Sequence, residues 1–162
     1  MSEVIQGAIR DFERSRDRML SLLKETPDDR LNWSPSATAR TPLAIVAHSA
    51  LSLCNITDML EGRPFGASTT AIADKGFRQE EQKFSSRAEV VELFEKSAAE
   101  CVACLGALTE GGLDEPITFP FGLGTGVVRH GLDAPARHTE AHIAQLEYVQ
   151  TIYGDQDWHI GV

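Results

Sequence analysis

The sequence predicts an all-α protein, a four-helix bundle built as one domain over residues 1–162. Three observations predict it. Four stretches of about twenty residues repeat apolar side chains at steps of three and four, the period of a helix packed on one side. Caps, glycines or prolines bound these stretches, as helix ends require. The connections after the second and third stretches are long, which lets neighbouring helices of a bundle run parallel as well as antiparallel.

The first helix is expected over residues 3–24. Ser2 stands at the N-cap position, and Val4, Ile5, Ala8, Ile9, Phe12, Met19, Leu22 and Leu23 form the apolar stripe. Pro27 marks its end. The polar connector that follows contains Leu31 and Trp33; a tryptophan there either plugs the core end or walls a pocket.

The second helix is expected over residues 42–61, with Thr41 as N-cap, Pro42 at the first helical position, and Gly62 and Pro64 as the stop. Its only charged side chain up to Leu60 is Asp58. A helix apolar on most sides is buried on most sides. A second subunit over one face would satisfy that, so a homodimer is expected; a long loop folded over the same face is the alternative. His48 lies in this helix among Ala44, Ile45, Leu51 and Ser52, with Asn55 two turns on. A lone histidine in such a setting reads first as a hydrogen-bonded core residue.

Residues 63–84 read as the longest connection, rich in glycine and threonine early and in charge from Lys75 to Lys83. Phe65, Phe77 and Phe84 are expected to pin it to the bundle, and loops of this length often serve as lids or crossovers. The third helix is expected over residues 87–108, opened by the capping box Ser86-Arg87-Ala88-Glu89. Its Cys101-Val102-Ala103-Cys104 spells C-x-x-C, but in mid-helix on the apolar stripe, where cysteines pack as small hydrophobes. Residues 111–126 are expected to form a loop with at most a short extended piece and no sheet. The last helix is expected over residues 127–153, capped by Thr125 and kinked by Pro135. The sequence assigns no role to His130, or to His159 in the tail.

Composition narrows the function. Fifteen basic and 24 acidic residues give a net charge of −9, which repels phosphate backbones and argues against nucleic acid as a partner. Three cysteines make no disulfide framework, and the start Met1-Ser2-Glu3-Val4 lacks the pattern of a signal peptide. A cytoplasmic protein without a membrane partner is expected. No Gly-rich phosphate loop or nucleophile elbow occurs.

The chemistry concentrates in Arg137-His138-Thr139-Glu140-Ala141-His142-Ile143-Ala144-Gln145. On a helix, His138 and His142 stand one turn apart on one face, with Gln145 following on it. Two imidazoles so spaced can chelate one metal ion, or they are ordinary solvated or core histidines. Thr139 stands where a zinc protease carries its Glu, and Glu140 points away from the pair. Asp133 and Glu147 also fall off the histidine face. The small residue Ala134 beside the pair leaves room for a ligand, so Trp33, Asn55 and Ala134 are pocket candidates. If the second and last helices are neighbours, His48 could join the pair.

Leu31-Asn32-Trp33-Ser34-Pro35, then Thr41-Pro42-Leu43-Ala44-Ile45-Val46-Ala47-His48, then His138-x-x-x-His142-x-x-Gln145 occur in an order and separation that resemble the DinB-like (DinB/YfiT) superfamily of metalloenzymes. The resemblance covers nearly the whole chain. It implies a bundle of up-down-down-up topology and a divalent metal, zinc or nickel, held by His48, His138 and His142. It also implies thiol-dependent S-transferase or isomerase activity on a small electrophile, with bacillithiol, mycothiol or glutathione as the thiol. Gln145 would orient a ligand. The competing expectation is a non-catalytic metal- or ligand-binding bundle acting in a stress response.

Overall fold

A computed structural model describes residues 2–160. Its helices are α1 (Glu3–Glu25), α2 (Pro42–Leu60), α3 (Thr70–Glu81), α4 (Arg87–Ala107) and α5 (Ala134–Ile152). A two-stranded antiparallel hairpin, β1 (Pro116–Thr118) and β2 (Thr125–Val127), lies between α4 and α5. The caps are the expected ones for three helices: Ser2 accepts from the Ile5 N–H, Thr41 from Ala44, and Ser86 with Glu89 closes a full capping box.

The long helices α1, α2, α4 and α5 form the four-helix bundle, and side-chain pairs fix their directions. Ser15 meets Glu140, Arg18 meets Glu147, and Gln150 reaches the Leu22 carbonyl, so α1 and α5 run parallel. Arg87, opening α4, bonds the carbonyls of Leu23 and Thr26 at the end of α1, so those two are antiparallel. Cys54 touches Ser97 and Thr57 approaches Cys101, which makes α2 parallel to α4. The order is up, down, down, up. Phe12, Met19, Leu53, Phe94, Leu105 and Leu146 are fully buried where the four helices meet. Such side chains hold the bundle at about 2–5 kcal/mol each, judged by the usual cost of truncation to alanine.

Three expectations are corrected. Residues 63–84 contain the helix α3, capped by Thr69, rather than being loop throughout. It is short and buries only Ala73 and Glu81, so it shows little apolar stripe. Residues 111–126 carry β1 and part of a true hairpin, whose three-residue strands are too short to show alternation. The last helix starts at Ala134, and Thr125 is in β2 rather than at a cap. Pro135 therefore sits in the first turn, where the missing N–H has no helical partner to lose, and it causes no kink.

On α2, only Cys54 is exposed, and α3 lies against that helix. The apolar sides that suggested a second subunit are thus covered largely within the chain. By length and composition α2 is the one described helix that could cross a membrane, but here it is the central wall of the bundle.

Candidate metal centre

Each histidine reaches the centre for a local reason. His48 stands in the first half of α2, a helix whose alanines and serines let its neighbours approach closely. His138 and His142 stand one turn apart near the start of α5. Because α2 and α5 are antiparallel neighbours, the three rings converge, and the nitrogens each can offer all lie within 4.8 Å of one another. His138 Nε2 and His142 Nε2 are 3.1 Å apart, close enough to ligate one cation.

The other ring nitrogens are held from outside. His142 Nδ1 lies 2.8 Å from Gln145 Oε1 and donates to it, which leaves Nε2 bare. His48 Nδ1 lies 2.8 Å from Glu81 Oε1. That carboxylate, only 3% exposed, also receives the Arg40 guanidinium at 2.9 and 3.0 Å. Arg40 goes on to Asp74 at 2.6 Å, and Asp74 to Arg78 at 2.8 Å. A carboxylate behind a histidine fixes its tautomer and raises its basicity as a ligand. Burial works to raise the Glu81 carboxyl, but hydrogen bonds from His48 and Arg40 outweigh it and hold it below the usual range.

Burial and the neighbouring imidazoles push His138 down to about 3. Burial also lowers His142, to about 4, against the opposing pull of Gln145. Both rings are neutral at neutral pH, the form that ligates metal. Three converging imidazoles, two of them oriented from behind, fit a divalent cation.

A cavity of about 230 Å³ borders the cluster. His48 and His138 form its floor; Asn55 and Ser52 stand beside them, and Phe65, Phe77 and Phe121 are among its walls. Phe77 and Asp74 come from α3, Phe65 from the segment before it, and Phe121 from the hairpin tip. Of the three pocket candidates, Asn55 lines this cavity. Trp33 instead packs edge-on against Tyr153 at the other end of α5, and Ala134 packs against the core. The carboxylates of α5 lie elsewhere, with Asp133 near Arg137, Glu140 on Ser15 and Glu147 on Arg18. His159 binds Asp155 in the tail, and its carbonyl accepts from Arg18. His130 packs on the hairpin, 3.0 Å from where a Cβ on Gly126 would stand.

Glu81 is the residue that sequence reasoning missed. Its signal was present: Ala73, Phe77 and Glu81 recur every fourth residue, placing one carboxylate on the inward face of a short helix.

A family model for the DinB superfamily matches residues 11–146. Two similar solved structures are from Bacillus subtilis. The DinB-like protein YjoA is 20% identical with a TM-score of 0.66, over 93% of this chain and 94% of that one. YfiT is 17% identical with a TM-score of 0.72, over 95% and 90%, and is described as "a probable metal-dependent hydrolase with an unusual four-helix bundle topology". No curated protein matches the chain.

Proposed function

The chain belongs to the DinB superfamily, and from that premise we propose that it is a metal-dependent enzyme whose His48, His138 and His142 hold one divalent cation, zinc or nickel. The reaction proposed is transfer of a small thiol to a small electrophile, or isomerisation through thiol addition. The convergence of three imidazoles beside a cavity carries this reading. A purely structural zinc would call for four protein ligands.

A cation held there supplies Lewis-acid chemistry, making a thiol or water acidic enough to be a nucleophile at neutral pH. Glu81 and Gln145 keep His48 and His142 in the tautomer that offers Nε2. Asn55 and Ser52 can hydrogen-bond a polar head beside the histidines. The cavity offers no free carboxylate as general base, since Asp74 is bound by Arg40 and Arg78. A thiol, which deprotonates far more readily than water, suits that lack. In the transfer, its proton leaves to solvent, sulfur bonds to the electrophilic carbon, and the leaving group departs.

Hydrolysis is the second reading, favoured by the description of YfiT. The test loads the protein with zinc or nickel and follows consumption of bacillithiol, mycothiol and glutathione with chlorodinitrobenzene or maleylpyruvate. Activity that needs both the metal and His48 supports the transferase. Thiol-independent ester cleavage supports the hydrolase. Silence in both assays with the metal intact favours a non-catalytic binding bundle.

A further inference from the structure

We propose that Ser52 donates a hydrogen bond to the anionic head of the ligand at the three-histidine centre, a thiolate sulfur or a deprotonated oxygen, and so favours such heads over neutral ones. The assignment rests on the metal reading above and adds to it a residue of this chain that touches the ligand.

Ser52 follows His48 by four residues on α2, and Asn55 follows Ser52 by three, so the three side chains share one face of the helix. All three border the cavity. Ser52 is only 5% exposed, and the one hydrogen-bond partner of its hydroxyl is His48 Nε2, at 3.5 Å. That nitrogen is the one His48 offers to the centre, because Glu81 holds its Nδ1. With Nδ1 donating to Glu81, the bare Nε2 accepts from the Ser52 hydroxyl. The length of the contact leaves the hydroxyl lightly held.

A cation at the centre takes the Nε2 lone pair, which is the acceptor of that hydroxyl. A nearly buried donor then stands beside the centre with its proton unspent, and a buried donor without an acceptor is costly. A ligand head that accepts removes the cost, and an anionic head does so best, because hydrogen bonds to ionised acceptors are roughly twice as strong as neutral ones. No lysine or arginine lines the cavity, so besides the cation an anionic head meets only neutral donors. Thr70, at the start of α3, is exposed, and Asn55 spends one N–H on the Leu51 carbonyl. Ser52 alone among these donors is in contact with a metal-facing histidine nitrogen.

The experiment titrates cobalt-substituted protein with azide and 2-mercaptoethanol, which bind metals as anions, and with imidazole, which binds as a neutral molecule. The cobalt absorption bands report all three. Ser52→Ala is expected to weaken both anions about tenfold, the usual worth of a hydrogen bond to a charged group, and to leave imidazole within about twofold. Cobalt affinity, measured against a chromophoric chelator, is expected to stay unchanged. Ser52→Thr keeps the hydroxyl and is expected to hold the anions within about threefold of wild type, and Asn55→Ala is expected to cost them less than Ser52→Ala does. Unchanged anion affinity in Ser52→Ala, an equal loss for imidazole, no rescue by Ser52→Thr, or an equal loss in Asn55→Ala overturns the assignment. Each of those results leaves the metal reading standing, because cobalt is still held. A wild-type protein that takes up no cobalt overturns the metal reading, and the assignment with it.

Discussion

Glu81 Oε1 lies 2.8 Å from His48 Nδ1, so the histidine supplied by α2 is aimed by a carboxylate supplied by α3. Thirty-three residues separate the two in sequence. Glu81→Ala is expected to weaken divalent-metal binding by about 10–100-fold, with Glu81→Gln intermediate, because the ring loses its orienting acceptor. Competition against a chromophoric chelator measures it, with circular dichroism as the check on folding. Wild-type affinity in a folded Glu81→Ala protein would refute the role.

Arg40 is the counter-charge that lets Glu81 stay ionised under the bundle. Arg40→Ala leaves a carboxylate that is 3% exposed without its guanidinium, at a cost expected to be about 2–3 kcal/mol in urea denaturation. Arg78→Ala, which removes a more exposed partner of Asp74, should cost less than about 1 kcal/mol. Equal losses in the two variants would mean that the buried pair carries no special weight.

The metal-free protein is expected to weaken in mild acid. His138 and His142 sit at about 3 and about 4 when folded, below the ordinary 6.5. Below pH 6.5 the unfolded chain takes up protons that the folded rings refuse. Stability present above that pH is therefore lost as pH falls, at up to about 1.4 kcal/mol per pH unit for each ring. The loss levels off below the folded values. Urea midpoints measured between pH 7 and pH 4 test this, and the double variant His138→Gln, His142→Gln should flatten the curve. Parallel curves for the two proteins would exclude the buried histidines as the cause.

Pro135 occupies the first turn of α5, so Pro135→Ala should change stability by less than about 1 kcal/mol and leave metal content unchanged. A proline straining the helix interior would behave differently, since its removal would stabilise the protein by about 3 kcal/mol. Thermal unfolding and elemental analysis of the variant separate the two cases.

The sequence by itself determined most of the bundle. Ser2, Thr41 and Ser86 cap the helices they were expected to cap, and most apolar residues on the expected stripes of α1, α2 and α4 are buried, with Val4 at the start of α1 exposed. Those features are local: a cap or a helical period is written in residues within a few positions of one another. The spacing of His138, His142 and Gln145 was legible for the same reason.

What only the tertiary structure decided is which distant residues meet. The antiparallel packing of α2 on α5 brings His48 to the pair, and α3 folds across α2 to place Glu81 behind it. The hairpin tip then carries Phe121 to Phe65, over the histidines. Neither α3 nor the hairpin carries enough apolar periodicity to announce itself, because each is short and buries few side chains. Their positions follow from what the four long helices leave uncovered, and that is a property of the packed bundle rather than of any stretch of chain.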